Sequence, residues 1–103
     1  MTEQTQTTHP EVGKYCIIRT YSAGVHAGTV AQVSADWHQV TLNASRRIWR
    51  WEGAFTLSAV SQTGIDIETS RVAVVVPVIY LNDVIEIIPT TSQARATIEA
   101  AHG

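Results

Sequence analysis

The sequence contains one cysteine, one lysine and no apolar run of 18 residues. A single cysteine excludes an internal disulfide, and its place in the apolar run YCII predicts that Cys16 is a buried small side chain rather than a nucleophile. The lack of a long apolar run predicts that no segment crosses a membrane. The polar start MTEQTQTTHPEVG lacks the basic and then apolar order of a secretory signal. We therefore expect a cytosolic protein.

Motifs of metal and cofactor sites are also missing. The chain has no HxxxH, HExxH or CxxC spacing, and neither GxxxxGK[ST] nor GxGxxG. We therefore expect no metal and no cofactor, and we expect that the protein is not an enzyme. Among the four histidines only His26 lies beside an unusual loop, SAGVHAG. A hydrolase acting through His26 would need a general acid from another segment.

The charge balance limits the class of partner. The net charge is −2, and the seven basic residues are six arginines and one lysine. A chain with so few cations lacks the extended basic stripe that a long nucleic acid requires. The arginine bias favours recognition of a compact anion, because a guanidinium grips phosphate with two donors and stacks on flat rings.

The polar and apolar pattern predicts a mainly β fold. Strand-like runs occupy residues 15–21, 25–34, 40–51, 71–81 and 84–90, with a short helix capped by Thr56 and stopped by Gly64. Short antiparallel strands of this kind favour a small SH3- or Sm-like five-stranded antiparallel barrel with a short inserted helix, and a plain sandwich stays possible. Gly28 inside the second strand indicates a bulge or bend, and Pro77 indicates an edge or break.

The predicted domain organisation has three parts. Residues 1–13 are expected to be a disordered N-terminal tail, residues 14–90 the barrel domain, and residues 91–103 a C-terminal helix. The apolar stripe of that helix, Ala94, Ile98 and Ala101, is narrow. It predicts that the helix docks lightly or packs on another subunit.

The most unusual segment is ASRRIWRWEGAF, residues 44–55. On an extended strand Arg46, Ile48 and Arg50 share one face, and Arg47, Trp49 and Trp51 share the other. One interpretation is structural: the rings are buried and the arginine stems cover the rim. The other is a nucleotide site, in which arginines bind phosphates and a ring stacks on a base.

We predict that the nucleotide site draws on three segments. The SAG turn could offer backbone amides as an anion-binding nest, and Asn82 could contact a base edge. Because a chain of this size has little concave volume of its own, we expect a homo-oligomer with sites at its interfaces. The predicted ligand-binding residues are Arg19, Tyr21, Ser22, Ala23, Gly24, His26, Arg46, Arg47, Trp49, Arg50 and Asn82.

Three stretches, RTYSAGVHAG, NASRRIWRWEGAFTLSAVSQTG and IYLNDVIEIIPTT, resemble a family of small phage-encoded proteins. The resemblance covers residues 13–92, and it departs at the turn SADWHQ, where the family more often has a glycine. Phage proteins of this size include sponges that hold nucleotide second messengers of bacterial immunity. By this analogy we expect a protein of the host cytoplasm that sequesters an anionic cyclic oligonucleotide or cyclic ADP-ribose, without catalysis. The alternative is a phage structural or host-takeover module that binds other proteins.

Overall fold

The computed structural model describes residues 10–53 and 56–102. The described part contains six strands and two helices, in an order close to the predicted one. The predicted 71–81 strand is split in two. The elements are β1 (Tyr15–Thr20), β2 (Val25–Val33), β3 (Val40–Arg50), α1 (Leu57–Thr63), β4 (Arg71–Val72), β5 (Val76–Leu81), β6 (Val84–Pro89) and α2 (Ser92–Ala100).

All the strand pairs are antiparallel and form one sheet. Its order is β4-β3-β2-β1-β6, and β5 pairs with the same edge of β3 as β4 does. The last strand, β6, pairs with the first strand, β1. The mainly β prediction is therefore confirmed.

The predicted closed barrel is not confirmed. The β5–β6 turn contacts strands from both halves of the sheet. The amide of Tyr21, just after β1, donates to the Asp83 carbonyl, and the Val84 amide donates to the carbonyl of His38, just before β3. The sheet is therefore strongly curled. In the described residues, however, no ladder joins β5 to β6, and six strands form an unclosed sheet rather than a five-stranded barrel.

Two apolar clusters lie on opposite faces of the sheet, which explains why β1 is apolar at every position from Tyr15 to Ile18. The helix-side core contains Ile17 and Ile48 together with buried residues of both helices. The strand-side core contains Cys16, Ile18 and Leu42 and lies on the inner face of the curled sheet. Burial on both faces accounts for the continuous apolar run YCII where a half-exposed strand would alternate.

Gly28 marks a bulge, as its place in the strand pattern predicted. Ala27 pairs with Arg46 and Thr29 pairs with Asn43, so two residues of β3 oppose the single residue Gly28. A Cβ at Gly28 would lie 2.9 Å from the carbonyl oxygen of Asn43, which is too close for any side chain. The extra residue, Ala44, has φ of 50° and changes the phase of β3.

Each helix begins after a threonine, and for the first helix the sequence indicated that residue, Thr56. The Thr56 side chain accepts from the Ala59 amide, and the Thr91 side chain accepts from the Ala94 amide. Helix α2 does not dock lightly. Its stripe of Ala94, Ile98 and Ala101 is buried in this chain's own core, because small side chains let the helix lie close to the sheet.

The two ends of the chain are only partly described. Residues 1–9 of the predicted tail lie outside the described residues, as does Gly103 of the predicted terminal helix. Residues 10–13 form a turn in which the Gly13 amide donates to the Val30 carbonyl. Among the helices described, none is long and apolar enough to cross a membrane.

One buried arginine joins the sheet to the terminal helix. Arg46 is 8% exposed, and its guanidinium donates all five N–H groups to backbone carbonyls at 2.7–3.2 Å. Three of these carbonyls lie at the C-terminal end of α2. The last carbonyls of a helix have no partner within the helix, and a cation is favoured beside them. The five acceptors are the carbonyls of Val72, Ala73, Ile98, Glu99 and Ala101.

We expect Arg46→Ala to destabilise the fold by about 3 kcal/mol or more. Several buried carbonyls then lose their donors, and each unsatisfied group costs about 1–3 kcal/mol. Urea unfolding followed by circular dichroism measures the change. The matched control is the exposed neighbour, Arg47→Ala, which we expect to stay within about 0.5 kcal/mol of wild type. Equal stability of the two variants would contradict the anchoring role of Arg46.

Candidate functional site

A small, mostly apolar pocket with three polar side chains lies where β2, β3 and the segment leading into β5 meet. Its volume is about 210 Å³. The polar lining comes from His26, Ser45 and Arg47, and we call it the His26–Ser45–Arg47 pocket. The apolar wall consists of Ala73, Val74, Val76 and Ile79.

Ser45 contributes a buried hydroxyl to this pocket. The residue is 2% exposed, and within the described part of the chain its Oγ has no hydrogen-bond partner. The bulge at Ala44 puts Ser45 opposite Gly28, and the absent side chain there leaves room for the close approach. A buried hydroxyl without a partner costs free energy, so it marks a place where a ligand could supply the missing hydrogen bond.

His26 lines the same pocket as a neutral imidazole. Its ring is 1% exposed, and Nε2 lies 3.0 Å from the Ala23 carbonyl oxygen, so Nε2 carries the proton and donates. Burial lowers the pKa of His26 below 6.5; the hydrogen bond to the carbonyl opposes this shift, and the nearby charge of Arg47 adds to it. The neutral ring leaves Nδ1 as an acceptor.

Arg47 supplies the charge of the pocket. It is exposed, it pairs with His26 across β2 and β3, and in the described structure its guanidinium has no hydrogen bond or ion pair. Most other arginines are engaged: Arg19 pairs with Glu86 at 2.8 Å, and Arg50 pairs with Glu52 at 3.1 Å. Arg95 pairs with Glu99 and lies over the Tyr15 ring.

A ring and a second unpaired arginine extend the site. Trp49 is two residues beyond Arg47 on the same face of β3 and is 58% exposed. Arg71 of β4 pairs with Arg50 across a register shift that falls at Trp49, so Arg71 lies on the strand next to Trp49. No partner for the Arg71 side chain appears in the described residues. We call Arg47, Trp49 and Arg71 the arginine–tryptophan surface.

The other residues predicted from the 44–55 segment are divided by the fold. Arg46 is buried, with no N–H left for a ligand. Arg50 keeps its ion pair, and Trp51 is half-buried against the helix-side core. Arg19 does not join the cluster, because its register places it on the helix side of the sheet, opposite to Arg47.

The SAG turn is organised around Thr20. The Thr20 hydroxyl accepts from the Ala23 amide and donates to the Gly24 carbonyl, so the Ala23 amide is not free for the predicted nest. Gly24 has φ of 86°, the conformation that glycine was expected to supply. Through the Ala23 carbonyl this turn orients His26.

The remaining predicted residues lie elsewhere. Tyr21 and Ser22 are exposed in the turn after β1. Asn82 lines a separate polar groove of about 270 Å³ at the other end of β3, together with Tyr80 and Gln32. The structure therefore brings together His26, Arg47 and Trp49 from the predicted set, and it leaves Asn82 apart.

Sequence analysis did not assign Ser45, Arg71 or the apolar wall of residues 73–79 to the site. Gly28 was the signal that bore on Ser45, because a bulge opposite a glycine changes which β3 residues point inward. No sequence signal pointed to Arg71, since its place depends on the long-range pairing of β4 with β3.

Clustered metal ligands and the single cysteine bear on the chemistry that is open to the described residues. Residues 10–53 and 56–102 contain no group of three or more His, Cys, Asp or Glu side chains that could hold a metal ion. Cys16 is fully buried, and burial raises the pKa of its thiol to about 12. A thiol with that pKa is a packing group and a poor nucleophile at neutral pH.

In its described residues the fold is a small β domain with an open curled sheet and two helices, and the His26–Ser45–Arg47 pocket lies on the same strand as the arginine–tryptophan surface. The family model described as "Domain of unknown function (DUF6948)" matches residues 13–98, so the chain belongs to this family. No curated protein and no solved structure shows a significant match. The description of this family names neither an activity nor a source organism.

We expect the fold to lose stability as the pH falls from about 7.5 to 5.5, because His26 is held neutral. The unfolded chain takes up a proton near pH 6.5 and the folded chain does so only at lower pH, so the unfolded state binds more protons in this window. Urea midpoints across this range measure the effect. His26→Gln should flatten the dependence, whereas His38→Gln, at an exposed position, should keep it. An unchanged pH slope in His26→Gln would contradict the assignment.

Proposed function

We propose that the protein binds an anionic nucleotide at the His26–Ser45–Arg47 pocket and the arginine–tryptophan surface, and that it holds this ligand without changing it. The observation that carries the proposal is the pairing of an uncommitted guanidinium, Arg47, with a buried hydroxyl, Ser45, that has no partner. Within residues 10–53 and 56–102 neither side chain has a hydrogen-bond partner, and both line one cavity.

The phosphate fits the cationic side of this site. Arg47 offers a planar fork of donors, and a charge-assisted hydrogen bond to phosphate is about twice as strong as a neutral one. Arg71 adds a second cation on the neighbouring strand β4, opposite Arg50. Because Arg19, Arg50 and Arg95 are already paired with carboxylates, these two arginines concentrate the available positive charge in one place.

The base fits the aromatic side. Trp49 exposes more than half of its surface, although a tryptophan is costly to leave in water. Stacking of a base on an aromatic ring contributes about 1–3 kcal/mol. A ligand whose phosphate lies at Arg47 can place its base over Trp49, because alternate residues of a strand point to the same face.

The hydrogen bond and the pocket residues around His26 favour sequestration over catalysis. Its Nε2 proton is bonded to the Ala23 carbonyl, and no carboxylate lines the pocket to act as a general acid. Together with the resemblance to small phage proteins, this supports a sponge for a cyclic oligonucleotide or cyclic ADP-ribose signal of bacterial immunity, acting in the host cytoplasm. The small size of the pocket and the net charge of −2 argue against a membrane or a long nucleic acid as the ligand.

The alternative is a module that binds another protein, such as a phage structural or host-takeover component. It is favoured by exposed apolar side chains along one segment, Val74 at 78% and Tyr80 at 75% among them. Exposed apolar patches and aromatic residues are typical of protein interfaces.

We propose a second copy of the chain as the occupant of this apolar edge. Strand β5 pairs with β3 on one side, and residues 72–80 carry no charge to oppose pairing with an identical strand. Val74 and Val76 belong both to this edge and to the wall of the pocket. A partner at the edge would enlarge a pocket whose 210 Å³ is below the range of about 300–1,000 Å³ common for ligand sites.

We expect a member of a panel of cyclic dinucleotides, cyclic trinucleotides and cyclic ADP-ribose isomers to raise the midpoint of thermal unfolding. A ligand at 100 times its dissociation constant stabilises by about 2.7 kcal/mol. Arg47→Ala should weaken binding about tenfold or more, since it removes a charge-assisted contact. The matched control is Arg19→Ala, another exposed arginine, which should bind as wild type does.

The same experiment separates the competing functions. Recovery of the ligand unchanged supports sequestration, and recovery of a modified ligand supports an enzyme. If no nucleotide shifts the midpoint and a pull-down recovers a host or virion protein instead, the interaction module is supported and the sponge is not.

We expect Val78→Lys to shift the protein to a lower oligomeric state, because a charge at an exposed position of β5 opposes pairing between copies. Light scattering after size-exclusion chromatography measures the mass. Ala96→Lys, at an exposed position of α2, should leave the mass unchanged. A wild-type protein that is monomeric at every concentration would contradict the shared edge.

A further inference from the structure

The His26–Ser45–Arg47 pocket combines a cation, an acceptor and a hydroxyl. Arg47 only donates, the neutral His26 ring offers a lone pair at Nδ1, and Ser45 Oγ does both. A phosphate oxygen satisfies Arg47 but brings no proton to an imidazole lone pair. The His26 acceptor is complementary to a group that donates, such as a hydroxyl.

The size of the pocket limits which part of a ligand it can hold. A cavity of about 210 Å³ is smaller than the usual site for a whole ligand, so it accommodates part of a nucleotide. The wall opposite the polar groups is formed by valine and isoleucine side chains, which suit the carbon framework of a sugar. The flat base would lie outside, over Trp49.

We infer that the pocket recognises a phosphorylated ribose: Arg47 binds the phosphate, while Ser45 Oγ and His26 Nδ1 bind the neighbouring 2′-hydroxyl. The ligand is then a ribonucleotide, and its deoxy counterpart is rejected. This inference rests on the proposed function and adds the sugar to it. It also gives a role to the buried Ser45 hydroxyl, which has no partner within the described residues.

The inference predicts discrimination between two matched probes. Cyclic di-AMP is compared with cyclic di-2′-deoxy-AMP, and adenosine 3′-monophosphate with its 2′-deoxy analogue, by calorimetry on the wild-type protein. The same comparison is made for any other ribonucleotide of the panel that binds. A site built to hydrogen-bond a hydroxyl rejects the analogue that lacks it, so we expect the ribose form to bind about tenfold more tightly or better.

Ser45→Ala tests the assignment within the pocket. We expect this variant to reduce the preference for ribose severalfold, with the remainder supplied by His26 Nδ1. It should unfold at the same or a higher urea concentration than wild type, because the deleted hydroxyl has no partner in the free protein. Ser61→Ala is the matched control: Ser61 is equally buried but donates to the Ser58 carbonyl, so its loss should destabilise the fold and leave the preference intact.

The outcomes distinguish this inference from the proposed function. Equal binding of ribose and deoxyribose forms by the wild type would overturn the inference and leave nucleotide binding standing. A ribose preference as large in Ser45→Ala as in the wild type would also overturn it, because the Ser45 hydroxyl would then not contact the 2′-hydroxyl. Failure of every probe to bind would overturn both.

Discussion

The guanidinium of Arg46 is the interaction on which the rest of the structure depends. Consecutive carbonyls of a β-strand point to opposite edges, yet the carbonyls of Val72 and Ala73 both accept from Arg46. The run 71–81 therefore leaves strand geometry at this point and is divided into β4 and β5. The same guanidinium caps the end of α2. One side chain therefore determines both where the sheet is interrupted and where the helix lies against it.

The break at residues 73–75 creates the pocket. A continuous strand would lie flat along β3, whereas the interrupted segment leaves Ala73 and Val74 facing His26 and Arg47 across a cavity. The bulge opposite Gly28 adds Ser45 to the same cavity. The candidate site is thus built from two departures from regular pairing in neighbouring parts of one sheet, and such departures are often retained at functional sites.

The six arginines have separate roles, which answers why the chain carries so many for its size. One is a buried anchor, three form ion pairs with carboxylates, and two are uncommitted in the described structure: Arg47 and Arg71. The uncommitted pair lies beside an exposed tryptophan. A fold that satisfies most of its charges and leaves these two free, next to a hydroxyl without a partner, has kept polar groups that its own stability does not require.

The amino-acid sequence by itself determined the local features of this protein. Apolar periodicity located the strands, Thr56 began the first helix, Gly64 ended it, and Gly28 indicated the bulge, because each depends on neighbouring residues and backbone sterics alone. The alternation in β3 also separated Arg46 from Arg47. Only the tertiary structure decided that the sheet stays open, that Arg46 is an anchor, that Arg19 pairs with Glu86 and that Ser45 faces a cavity. These depend on contacts between residues far apart in the chain, and a local pattern holds no information about which distant carbonyl or carboxylate will meet a given side chain.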